Sequence, residues 1–268
     1  MTGAAPIAVQ YWQVRPRAWP REAPLRIVVL ADIHGCDPWM PLGRIREIVR
    51  VAGALRGDLV ALLGDYVGHM PFAQALDPAP VAEALRALWA PLGVWAVFGN
   101  HDWQDDRAAV ARGDGQTIWH AAFDDAGLGV LENRSVALEE NGHTFRLAGL
   151  GSQRALMSDR NRARDGVHDL DAALAGTEPT PTILMAHEPD VFPGLPEHVA
   201  LTLSGHTHGG QIRLFGWAPV VPSHTDRTFR YGVFAEHGRH LVVSGGLGCS
   251  NLPIRLGVPP EITVVDLG

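Results

Sequence analysis

Leu25-Arg26-Ile27-Val28-Val29-Leu30-Ala31-Asp32-Ile33-His34 is the stretch from which the fold can be read. Its apolar run, rich in Val and Ile, is the pattern of a strand buried on both faces. The run stops at Asp32 and His34, two side chains that an apolar core does not accept without partners. The same unit recurs downstream. From Pro41 to Arg56, residues Ile45, Ile48, Val49, Ala52 and Leu55 return at helical spacing and predict an amphipathic helix. Asp58 to Leu63 reads as a second buried strand, ending at Gly64-Asp65. Val81 to Trp89 repeats the helical pattern, and Val94 to Phe98 is a third strand, ending at Gly99-Asn100-His101-Asp102. Strand, helix, strand, helix, strand predicts right-handed βαβ units on a parallel sheet.

The second half is strand-rich. Val136 to Glu140, a turn at Asn141-Gly142 and Thr144 to Gly149 read as a β-hairpin. Thr182 to Ala186 and Val199 to Leu203 are further buried strands, ending at His187 and at Gly205-His206. Gln211 to Leu214, Tyr231 to Glu236, His240 to Ser244 and Ile262 to Asp266 are strand candidates with few helical stretches between them. An α/β first half followed by such a second half predicts two stacked sheets with helices outside. Residues 1–24 read as an N-terminal extension, and 25–268 as a single domain, because no linker or repeat divides them.

Composition bounds the function. With 268 residues, 46% of them apolar, the chain can bury a full core. A formal charge of −7 argues against a general nucleic-acid binder. It still admits a phosphorylated substrate, because bound metal can supply positive charge locally. Two cysteines, Cys36 and Cys249, read as free thiols in a reducing compartment. Met1 to Arg17 lacks the apolar run of a signal peptide or anchor, so the expected location is the cytoplasm.

Asp32, His34, Asp65, Asn100, His101, His187, His206 and His208 all fall just past predicted buried strands. In an open α/β sheet those ends line one crevice. Each alone has an ordinary explanation: Asp32 or Asp65 as a helix N-cap, Asn100 as a turn residue, a histidine as a hydrogen-bonded surface group. Together, eight polar residues at the ends of separate apolar runs point to a metal site. Carboxylate and amide oxygens mixed with imidazoles suit Mn²⁺, Fe²⁺ or Zn²⁺ better than a calcium cage or a thiolate zinc site.

In order and approximate spacing, Asp32-Ile33-His34, Gly64-Asp65, Gly99-Asn100-His101-Asp102, His187 and Gly205-His206-Thr207-His208 resemble the motif series of the calcineurin-like metallophosphoesterases. The resemblance runs from about Leu25 to the C-terminus. Extended forms, such as His187-Glu188-Pro189-Asp190 and Gly205 to Gln211, look like a bacterial branch of phosphohydrolases related to UDP-diacylglucosamine pyrophosphatases. It implies a four-layer α/β/β/α sandwich of two mixed sheets flanked by helices. It also implies two divalent metals, Mn²⁺ first and Fe²⁺/Fe³⁺ or Zn²⁺ otherwise. Asp32, His34 and His208 would bind one; Asn100, His187 and His206 the other; Asp65 would bridge. His101 would contact the phosphate and leaving group, with Asp102 holding its imidazole. The implied activity is a phosphodiesterase or pyrophosphatase acting on a small or lipid-linked phosphoester. The alternatives are a phosphoprotein or phosphomonoester phosphatase, or a non-catalytic binding module on the same fold.

Two outlying stretches carry weaker expectations. Arg154, Arg160, Arg162 and Arg164 form either a solvated surface segment or a clamp for a second phosphate. The apolar loop Leu214 to Val221 is either buried or a peripheral membrane or acyl-chain contact.

Overall fold

A computed structural model describes residues 5–113, 115–156, 166–213 and 229–268. Alternation along its central strands shows how the layers form. In β2 (Leu25–Leu30), Ile27 and Val29 face a second sheet, while Val28 and Leu30 face helices. β4 (Leu59–Leu62) does the same, with Leu59 and Ala61 inward and Val60 and Leu62 toward the helices. Both faces are therefore dry, which is why these runs read as continuously apolar.

The first sheet has the order β1 (Ala8–Val14), β14 (Glu261–Leu267), β2, β4, β6 (Val94–Ala96) and β7 (Gly129–Val130). β2, β4, β6 and β7 are parallel, and β14 runs antiparallel to β2. α1 (Leu42–Ala54) and α2 (Pro78–Leu85) are the crossovers, and with α5 (Ile118–Asp125) they cover the outer face through Ile45, Ile48, Val81, Leu85 and Phe123. The second sheet has the order β12 (Gly232–Glu236), β13 (Arg239–Val243), β11 (Val199–Ser204), β10 (Thr182–Ala186), β9 (His143–Leu150) and β8 (Arg134–Glu140). Its inner face meets the first sheet through Leu147, Ile183, Met185, Leu201, Leu203 and Val242. Its outer face packs under α6 (Leu170–Ala173) and a 3-10 turn at Pro189–Gly194, through Leu184, Leu241, Ala173 and Phe192. Helices, sheet, sheet and helices make the four layers that were expected.

The β8–β9 hairpin turns at Asn141 and Gly142, whose φ values of 50° and 77° are those of the turn that matches strand twist. Other expectations need correction. Gln211 to Leu214 is not a strand over its described residues: Gln211 has φ 49°, and Ile212 makes only an isolated bridge to Leu256. α2 stops at Leu85 and not at Trp89, which is 77% exposed and contributes nothing to the buried stripe. The extension 1–24 supplies β1, paired in parallel with β14, and its mixed Gln, Tyr and Trp pattern hid it. A further two-stranded ribbon, β3 (Cys36–Asp37) with β5 (Gln74–Ala75), stands beside the crevice. Among the described residues no helix is long and apolar enough to cross a membrane.

Candidate metal centre

The carboxyl ends of β2, β4, β6, β10 and β11 open onto one crevice, and backbone hydrogen bonds lace their loops together. Asp32 N–H donates to Gly64 O (3.0 Å), His34 N–H to Asp65 O (2.9 Å) and Gly205 N–H to His187 O (3.0 Å). His206 N–H donates to Asp32 Oδ1 (2.9 Å), and His101 N–H to Asp65 Oδ1 (2.9 Å). The chain must turn sharply to aim these side chains inward. Asp32, His34, Asp65, His206 and His208 all have φ between 50° and 68°, a region that costs a non-glycine residue on the order of 1–2 kcal/mol. Strain repeated at five polar positions needs a common reason, and a shared ligand supplies one.

Two groups of donors result. Ligand atoms of Asp32, His34 and His208 lie within 4.8 Å of one another, as do those of Asp65, His187 and His206. All six side chains are buried. Asp65 Oδ2 stands between the groups, 3.2 Å from His187 Nε2 and 3.6 Å from His34 Nε2. His34 Nδ1 is paired with Val67 O (3.0 Å) and His187 Nδ1 with Leu63 O (2.7 Å). A carbonyl only accepts, so each Nδ1 carries a proton and each Nε2 faces the crevice, that of His187 against the Asp65 carboxylate.

The residues present fit divalent cations. Asp32 Oδ2 and Asn100 Oδ1 are buried acceptors without a hydrogen-bond partner. Such oxygens cost several kcal/mol when left bare. His34 Nε2 and His208 Nε2 face each other at 3.0 Å, as His206 Nδ1 and His187 Nε2 do at 3.2 Å. Nitrogens converging in this way are a candidate ligand set, and no thiolate joins it. Glycine clears the space. A Cβ on Gly205 would lie 2.7 Å from Asp32 Oδ2, and one on Gly99 2.2 Å from Asp65 Oδ1.

Electrostatics prepares the imidazoles. Burial pushes His34 down to about 3 and holds His206 and His208 well below the usual histidine range, so all three are neutral donors. Burial, with the charge of Asp65 beside it, pushes Asp32 up to about 7. In Asp65, burial is outweighed by His187, His101 and His34, which hold the carboxylate ionised. His187 is raised against its own burial by that same carboxylate.

His101 stands at the edge, half-buried, with its ring 5.1 Å from His34 and 5.9 Å from His69. The role expected of Asp102 needs correction. Its carboxylate accepts the backbone N–H groups of Asp65 (2.8 Å), Tyr66 (2.7 Å), Val67 (3.3 Å) and Gly99 (2.9 Å). It is a buried knot tying the loop after β4 to the loop after β6, and none of these hydrogen bonds goes to the His101 imidazole.

Arg154 brings Nη1 to 3.2 Å from His206 Nε2, so this arginine faces the second group. Arg160, Arg162, Arg164 and the loop 214–221 lie outside the described residues. Sequence reasoning missed Arg255. Its guanidinium donates to Gly248 O (2.6 Å) and Gly245 O (2.7 Å) and reaches 3.2 Å from His208 Nδ1. One guanidinium thus flanks each group. The available signal was a lone arginine in the apolar stretch after Cys249, and the stretch gives no hint of a partner.

Known proteins resemble this chain over most of its length. Residues 25–210 match the family model of the calcineurin-like phosphoesterases. The chain is 30% identical over 255 residues to phosphodiesterase YaeI of Escherichia coli, spanning 91% of this chain and 83% of that protein. It is 29% identical over 245 residues to the uncharacterized metallophosphoesterase YkuE of Bacillus subtilis, covering 90% and 78% of the two. A metallophosphoesterase of Aquifex aeolicus is 28% identical over 265 residues, covering 97% and 92%.

Proposed function

The chain belongs to the calcineurin-like phosphoesterase family of phosphoester hydrolases, and from that premise we propose that it cleaves a phosphodiester or pyrophosphate bond with two divalent cations. The observation that carries the reading is Asp65 Oδ2, within 3.6 Å of a histidine from each donor group while its partner oxygen is anchored to His101 N–H. Asp32, His34 and His208 would hold one cation, His187, His206 and the bare oxygen of Asn100 the other, with Asp65 placed to serve both. The donor set suits Mn²⁺, with iron or Zn²⁺ as the other candidates. When bound, the pair supplies positive charge to the phosphoryl oxygens and acidity to a water nucleophile.

The chain's own residues do the rest. Val67 and Leu63 carbonyls fix the orientation of His34 and His187 by accepting from Nδ1, which leaves each Nε2 aimed into the crevice. His101, at the mouth beside His34, delivers a proton to the leaving oxygen. Arg154, beside the second group, donates to a non-bridging oxygen. Leu252, Ile254 and Leu256 are each about half exposed on the segment that carries Arg255 into the site. That apolar rim supports a lipid-linked substrate, met at a membrane surface, over a freely soluble one.

Hydrolysis of bis-p-nitrophenyl phosphate beside p-nitrophenyl phosphate, with Mn²⁺ and with chelator, tests the reaction class. Metal-dependent turnover favouring the diester is expected. Preference for the monoester would replace the diesterase reading with a phosphomonoesterase.

A further inference from the structure

We propose that His69 is the positioning residue for His101, taking the place that Asp102 does not fill. The proposal rests on His101 being the group that protonates the leaving oxygen. A histidine ring turns about a soft terminal torsion, so a proton donor needs walls to keep its nitrogen aimed. One wall is the edge of His34, 5.1 Å away at 77°. The other is His69, whose ring lies nearly parallel to that of His101, 5.9 Å between centroids and 26° between planes.

His69 is itself fixed. Its Nε2 is 3.1 Å from Asp105 Oδ1, and a carboxylate oxygen accepts, so the ring is locked with its proton on Nε2. Asp105 Oδ2 accepts from Trp119 Nε1 at 3.1 Å, and Trp119 is fully buried against Tyr66 and Phe123. A rigid core residue therefore holds Asp105, Asp105 holds His69, and His69 holds His101. Chain geometry makes this compact. α3 (Asn100–Asp105) carries His101 and Asp105 four residues apart, on one face of the helix. His69, from the loop after Asp65, lies across that face, hydrogen-bonded to Asp105 and stacked over His101. Its side chain is 42% exposed, so replacing it removes no core volume.

The test compares metal-loaded His69→Ala, His69→Phe and His101→Ala on phenyl and p-nitrophenyl methyl phosphate. Phenolate is the poorer leaving group and depends more on proton donation. His69→Ala is expected to lower kcat on the phenyl ester ~10–100-fold, and on the p-nitrophenyl ester by less than ~3-fold. His69→Phe, which keeps a flat ring, should restore the phenyl ester to within ~5-fold. The double variant His69→Ala/His101→Ala should be no slower than His101→Ala, as residues acting as one unit behave. Equal losses on both esters, no recovery with phenylalanine, or multiplying losses in the double variant would each overturn the proposal. If His101→Ala itself shows no leaving-group dependence, the acid role of His101 falls and this proposal with it. Dependence in His101→Ala but none in His69→Ala overturns the positioning role alone.

Discussion

Gly99→Ala adds one methyl group at a crowded point of the candidate metal centre. The backbone permits it: Gly99 has φ −95° and ψ 179°, an extended conformation that any residue adopts. Space does not. The new Cβ would lie 2.2 Å from Asp65 Oδ1, 2.7 Å from His187 Cε1 and 2.8 Å from Asp65 N. Ordinary contact begins near 3.4 Å, so the Asp65 carboxylate must retreat by about 1.2 Å or His187 and the loop must shift with it. Asp65 Oδ1 is pinned by His101 N–H and Oδ2 is the atom shared by both donor groups, so any retreat reaches both. Misplacement by about 1 Å of reacting geometry costs on the order of 100-fold in rate. Overpacking adds roughly 1–3 kcal/mol of destabilisation, which a domain of this size survives. The assay is Mn²⁺-supported hydrolysis of bis-p-nitrophenyl phosphate, with metal per chain counted by elemental analysis after gel filtration. Gly43→Ala on α1 is the control: its Cβ meets nothing within 4 Å, so turnover should hold. Gly99→Ala with two metals per chain and turnover within twofold of the parent would refute the reasoning.

Asp102→Asn exchanges one carboxylate oxygen for an amide donor and leaves two of the four backbone N–H groups without an acceptor. Urea denaturation should show a loss of about 2–5 kcal/mol; unchanged stability with a selective defect on poor leaving groups would return Asp102 to service behind His101. In the metal-free protein Asp32 holds its proton up to about 7, and a cation must displace it. Affinity at the Asp32–His34–His208 group should therefore rise about tenfold per pH unit from roughly pH 5 to 7 and level off above. His34, neutral down to about 3, adds nothing to that slope. Metal titration calorimetry from pH 5 to 8 checks it: Asp32→Asn should abolish the slope, and a flat profile in the parent would contradict the assignment.

Much of the fold was legible because β2, β4, β10 and β11 are dry on both faces, and such strands read as unbroken apolar runs. The site residues at the ends of these runs were legible for the same reason, since a polar side chain at that point must find a partner. β1 was not, because an edge strand with Gln10, Tyr11 and Gln13 exposed or half-buried has no apolar signature. The side-chain partners of Asp102 and His101 were illegible for a different reason. Asp102 and His101 are neighbours in sequence, yet the carboxylate points back to the loop after β4, and His101 finds its flat neighbour 32 positions away at His69. The positive φ angles that aim Asp32, His34 and Asp65 inward also leave no trace in residue type.

The central claim, that two cations held around Asp65 perform the hydrolysis, is tested most directly by stoichiometric reconstitution. Chelator-stripped protein is titrated with Mn²⁺ while bis-p-nitrophenyl phosphate hydrolysis is followed, with Asp65→Ala beside the parent. Turnover should be absent without metal, reach its plateau at two equivalents per chain, and fail to develop in Asp65→Ala. Turnover that persists in chelator, or a plateau that Asp65→Ala reaches at the same two equivalents, would contradict it.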